Sequence, residues 1–155
     1  MQAYGLAVLR LIVAAVFIAH GAQKLFGIWG GYGLAGTAGF FEQIGVRPAY
    51  PLALIVAIIE FGGGLMLAAG AMTFVVSIAL ATVMVGAMWK VHAAHGFFLA
   101  SVPGQGNGIE FTLVLLGALV ALMLSGPGAM SIDGRRARSA EAEAAGRARL
   151  RAGNV

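Results

Sequence analysis

Four apolar stretches, Leu6 to Leu25, Pro51 to Gly70, Met72 to Trp89 and Ile109 to Ser125, fill most of the first 125 positions of this chain. A bilayer's hydrocarbon core, about 30 Å thick, takes ~20 apolar residues of helix to cross, and within it each helix must satisfy its own amides. The expected fold is therefore all-α, an integral membrane four-helix bundle. The last two stretches are slightly short for a span, which leaves their ends open. Composition agrees: 60% of the 155 residues are hydrophobic and only 10% charged, against roughly 25% charged in a soluble domain. The 24 glycines suit helices that approach one another closely. With no cysteine, disulfides, iron–sulfur clusters and thiol relays are excluded, so any redox chemistry falls to a cofactor or substrate.

The first stretch does not resemble a signal peptide. No basic region precedes it, Arg10 interrupts it, and His20, Gln23 and Lys24 follow. Basic residues also set the orientation. Arg135, Arg136, Arg138, Arg147, Arg149 and Arg151 crowd the C-terminal segment, while the longer connections hold only Lys24, Arg47 and Lys90. Both termini are thus expected on the cytoplasmic side of a cell (inner) membrane, with the longer loops outside. Residues 1–133 form the membrane domain. Residues 134–155, rich in Ala, Arg and Glu, are expected to be a disordered or weakly helical basic tail drawn to anionic membrane lipid. Nucleic acid is not needed to explain the high pI, since arginines beside a membrane domain fix its topology.

Within the loops, Thr37 to Ile44 is expected to form a short interfacial helix stopped by Gly45 and Pro48. Gly39-Phe40-Phe41 and Gly96-Phe97-Phe98 repeat a triplet, a weak hint of two related halves. Gly62 to Gly64, and Gly117, Ala121 and Ser125 at intervals of four, are places where helices could meet.

Glu60 lies near the middle of the second stretch, where a carboxylate costs several kcal/mol unless neutralised, paired or hydrated. It is a functional-site candidate, with a structural ion pair to Arg10 or Lys24 as the plainer alternative. On the first helix Arg10, His20 and Lys24 share one face. On the third, Met84, Met88, His92 and His95 form a stripe if the helix continues past Trp89. His20, Lys24, Lys90, His92 and Glu110 fall near the outer ends of their helices, which suggests an outward-opening apolar cavity with a polar wall.

A quinone/quinol suits such a cavity: a flat apolar ring whose carbonyls need donors and whose reduction takes up protons. Glu60, His20 and Glu110 are the candidate proton-handling groups, and Lys24, His92 and Arg10 the candidate cofactor-binding ones. Plainer readings stand beside these, because a histidine at a helix end is commonly interfacial and a lysine there snorkels to water. Haem is a lesser alternative that rests on His20 and His92 alone, with nothing else marking its pocket. A metal on His92, His95 and Glu110 has equally weak spacing, and no metal site is assigned.

The order of motifs resembles the DoxX family of small four-span membrane proteins. The matching features are Arg10, Gly21 followed by Lys24 and Leu25, TAGFFEQIG at 37–45, Glu60 with its glycines, Gly96-Phe97-Phe98, Glu110, and Gly126-Pro127-Gly128 leading to Ser131 and Asp133. They cover residues 5–133. The resemblance implies a subunit of a membrane-bound oxidoreductase complex, quinone-linked in some relatives, with redox partner subunits; more distant relatives look like assembly chaperones. It does not carry a thiol mechanism to this cysteine-free chain. The leading expectation is a quinone-interacting oxidoreductase subunit, and the alternative is a non-catalytic scaffold or assembly protein, in either case with a homo-oligomer open. A transporter is disfavoured by the few spans and the lack of broken helices.

Overall fold

The computed structural model describes residues 1–102 and 104–152, and helices make up most of it. In chain order they are α1 (Gln2–Phe26), α2 (Gly33–Gln43), α3 (Ala49–Ala69), α4 (Thr73–Ala87), α5 (Glu110–Ser125) and α6 (Ile132–Ala152). α4 runs on through a wide π-type turn, Met88–His92, and a 3₁₀ turn, Ala93–His95. That extension lengthens it to a full span, Thr73–His95, alongside Gln2–Phe26 and Ala49–Ala69. α5 is shorter, at 16 residues, or about 24 Å.

The four apolar helices form an up-down ring. α1 packs against α3 and α5, and α4 packs against the same two neighbours, while α2 lies across α3 and touches α1. Such a ring follows from short connections between antiparallel neighbours. The solid core occupies the half nearer the α3–α4 turn, where Phe17, Leu67, Leu80, Leu119 and Leu122 are almost wholly buried.

Gly70 makes that tight turn possible. Its φ of 64° is left-handed, and the Arg10 guanidinium and Ser131 lie against the face where a side chain would sit. The segment after α5 then locks the turn. The Asp133 N–H donates to the Gly70 carbonyl, and its carboxylate accepts from the Met72 and Thr73 amides at 2.9 and 2.8 Å. One residue thus caps the end of α3 and the start of α4.

Four expectations change. The basic tail is helical through Ala152, because Ala, Arg and Glu are strong helix formers and Glu143 lies one turn before Arg147, 3.7 Å away. The repeated triplets are not equivalent: Gly39-Phe40-Phe41 lies inside α2, whereas Gly96-Phe97-Phe98 is loop backbone paired with Gly108, Ile109 and Glu110. Gly117 faces outward with nothing within 4 Å of a would-be side chain, so the stripe it begins is not a helix contact within this chain. The interfacial helix also begins at Gly33, four residues earlier than the phenylalanines and Thr37 suggest.

Candidate functional site

Small residues set the site by letting α1 and α3 cross backbone to backbone. A Cβ on Gly21 would lie 2.6 Å from the Phe61 Cα, and one on Gly64 would lie 2.9 Å from the Ile18 nitrogen. Lys24 is three residues past Gly21, and Glu60 immediately precedes Phe61. The crossing therefore brings their side chains together, and Lys24 Nζ donates to Glu60 Oε2 in a close ion pair. Glu60 is only 3% exposed, while a quarter of the Lys24 side chain is open to the adjoining cavity. A buried carboxylate needs such a partner, and the pair stands where the solid core ends.

Beyond it the bundle is hollow. Near the α3–α4 turn the two helices touch, with Gly63 against Leu80 and Val76. Farther up, residues equally distant from the turn, Ile59 and Val83, then Val56 and Gly86, line a cavity of about 850 Å³ between them. α2 roofs this space with Thr37, Phe40 and Phe41, followed by Ile44, and His20, Lys24, Glu60 and His92 are among the polar residues that line it. A smaller cavity of about 200 Å³ lies on the α5 side, where His20, Lys24, Glu60 and His92 recur beside Phe17, Asn107 and Thr112. The ion pair and both imidazoles thus border two spaces at once.

The imidazoles are held differently. His92 Nδ1 lies 2.8 Å from the Asn107 carbonyl, which can only accept, so Nδ1 carries the proton and Nε2 of the neutral ring is an acceptor. His20 tilts against Phe111 with ring centroids 6.4 Å apart and makes no side-chain hydrogen bond among the described residues.

Two expected site residues stand elsewhere. Arg10, at the opposite end of α1, donates from Nη2 to the Ala129 and Met130 carbonyls at 3.4 and 3.2 Å. It lies some 14 residues from Lys24 along the helix, about 21 Å, and lines neither cavity. Glu110 accepts from the Leu99 amide at 2.9 Å and holds the second long loop, as Asn107 does through the Ala100 amide; Glu110 also lines neither cavity. Arg10, a candidate cofactor-binding residue, and Glu110, a candidate proton-handling one, thus both find their partners in nearby backbone instead. Sequence reasoning missed the α2 roof, Asn107 and Gly86. Hydrophobicity marks α2 as interfacial without saying over which gap it lies, and nothing in a GQGNG loop distinguishes its asparagine.

The geometry defines a class: a small helical membrane protein with a half-hollow bundle and one charged pair at the floor of its cavity. The chain belongs to the DoxX family, whose family model, described as DoxX, matches residues 5–93. It is similar to "Putative oxidoreductase CatD" of Bacillus subtilis, 31% identical over 83% of this chain and 84% of that protein. It is likewise similar to "Inner membrane protein YqjF" of Escherichia coli, 30% identical over 86% of this chain and 92% of that one. "Uncharacterized membrane protein Rv3486" of Mycobacterium tuberculosis is 32% identical, over 86% and 82% of the respective chains. No solved structure matches it. The matched segment holds α1 to α4, and so the ion pair, the α2 roof and most of the larger cavity.

Proposed function

We propose that this protein is the membrane-embedded, quinone-interacting component of an oxidoreductase system, and that its site is the cavity floored by Lys24 and Glu60. The observation that carries this reading is a mainly apolar chamber of about 850 Å³ lined by the Lys24–Glu60 pair together with His20 and His92. That size and polarity are typical of small-molecule sites. The donor set suits a quinone, whose carbonyl oxygens accept hydrogen bonds. Lys24 Nζ and a protonated His20 ring nitrogen are donors, His92 Nε2 is an acceptor for a quinol hydroxyl, and Glu60 can exchange a proton once Lys24 turns to the ligand. A bound quinone supplies the two-electron chemistry that this cysteine-free chain lacks. Electrons must then come from a partner protein, which agrees with the name of the Bacillus subtilis relative. With the arginine-rich tail cytoplasmic and the N-terminus on the same side, the cavity opens in the outer half of the membrane.

A second reading has its own support. Glu60, Arg10 and Asp133 all have partners within the chain, as they would in a scaffold or assembly protein whose polar residues only fix helix register.

Quinone titration of the purified protein in nanodiscs separates the two. The Trp29→Phe background leaves Trp89, which lines the cavity, as the sole fluorophore of the two tryptophans. Saturable quenching of Trp89 by a quinone, weakened about tenfold or more in Lys24→Met/Glu60→Gln, supports the quinone site. Non-saturable quenching that the double variant leaves unchanged favours the scaffold.

A further inference from the structure

The larger cavity opens sideways as well as toward the loops. Ile55 on α3 and Thr82 and Gly86 on α4 line it and are at the same time exposed, as are Ile58, Ile78 and Val85 one turn away on the same helices. They therefore form the rim of a gap facing the lipid. The gap begins just above the Gly63 contact with Leu80 and Val76, where the two helices part. A side chain built on Gly86 would meet nothing within 4 Å. Glycine thus leaves the α4 side of the gap open where a larger residue would fill it.

The chemistry of the walls runs in one direction. Lys24, Glu60 and His20 lie deep, against α1, and the α3 and α4 walls between them and the lipid are Ile55, Val56, Ile59, Val83 and Gly86. A molecule matching this gradient has a head with oxygen acceptors at one end and a hydrocarbon tail at the other, and it arrives from the bilayer rather than from water.

We propose that the cavity takes a tail-bearing amphiphile laterally, its oxygen-bearing head beside Lys24, Glu60 and His20 and its tail passing out between α3 and α4 beside Gly86. This rests on the cavity assigned above as the binding site, though not on the head being a quinone, since a phospholipid head offers oxygen acceptors too.

Gly86→Phe tests the passage, with Gly117→Phe as the matched control on an outward-facing glycine of α5 that borders neither cavity. Both are made in the Trp29→Phe background and titrated in nanodiscs with a decaprenyl-tailed ubiquinone and with the same benzoquinone lacking a tail. The expected result is that Gly86→Phe weakens the tailed ligand about tenfold or more and the tail-less one by less than about threefold, while Gly117→Phe changes neither. Equal effects on both ligands, or none on the tailed one, overturn the lateral passage and leave the quinone reading standing. If neither quinone binds the unmodified site, the quinone reading fails. The passage is then decided by mass spectrometry of lipid retained through purification. A phospholipid held by the parent protein and lost from Gly86→Phe upholds it, and equal lipid in the two overturns it.

Discussion

Gly21 and Phe61 stand so close that the Phe61 Cα lies 2.6 Å from where a Gly21 side chain would begin. Backbone contact of this kind replaces the hydrophobic driving force that helices lack in lipid. It also fixes the register in which Lys24 finds Glu60. Gly21→Ala should force α1 and α3 apart and lower stability by roughly 1–3 kcal/mol, as overpacking does in other tight contacts. Gly5→Ala, at a position with nothing within 4 Å, should leave thermal unfolding in detergent unchanged within about 0.5 kcal/mol.

The Lys24–Glu60 pair should be strongly non-additive. Lys24→Met leaves a carboxylate 3% exposed without its cation, at a cost of about 3–5 kcal/mol. Glu60→Gln should cost less, because Lys24 can turn its ammonium into the open cavity. The double change removes both charges and should recover much of the loss. A double-mutant cycle on unfolding midpoints measures the coupling, and additive losses would show that the pair is not one unit.

Asp133 gives the turn a pH dependence. Burial alone would raise its carboxyl, but the Thr73 and Met72 amides and the nearby Arg136 outweigh that and hold it below the usual aspartate range. Because the folded value is lowered, the stabilisation is fully present above the unfolded value near ~4 and is lost as pH falls through the lower folded one. Asp133→Asn should therefore cost about 1 kcal/mol near neutrality, as a lost helix cap does. The variant should also lose less stability than the parent between about pH 5 and about pH 2, which a pH series of thermal melts measures.

Arg10 predicts a departure from conservative substitution. Its Nη2 reaches two carbonyls at once, a fork that the single ammonium of lysine does not reproduce. Arg10→Lys should lower the unfolding midpoint by the equivalent of roughly 1–2 kcal/mol. An unchanged midpoint would mean the carbonyl contacts contribute nothing.

The spans and the need of Glu60 for a partner were legible because they follow from length, hydropathy and the cost of a charge in lipid. What escaped was contact between distant parts of the chain. Periodicity puts Arg10, His20 and Lys24 on one face of α1, yet the face is long enough to serve two sites: Arg10 ends at the Met130 carbonyl and Lys24 at the cavity. Glu110 looked like a proton carrier because of its depth, but its carboxylate accepts from the Leu99 amide. The stripe at Gly117 has helix-contact spacing and faces outward. Spacing names a face without saying what stands opposite, and α2 over the cavity was hidden for the same reason.

Arg10 and its acceptors are separated by 119 and 120 positions, with the whole bundle between them in the chain. Lys24 finds its partner 36 positions on, in the next spanning helix, whereas the acceptors of Arg10 lie beyond α5. The buried guanidinium on the first helix therefore depends on the segment after α5 for its acceptors. A chain ending after α5 would keep the residues of the ion pair and lose the carbonyls that hold Arg10, so the first helix is tied to the far end of the membrane domain as firmly as to its neighbour in sequence.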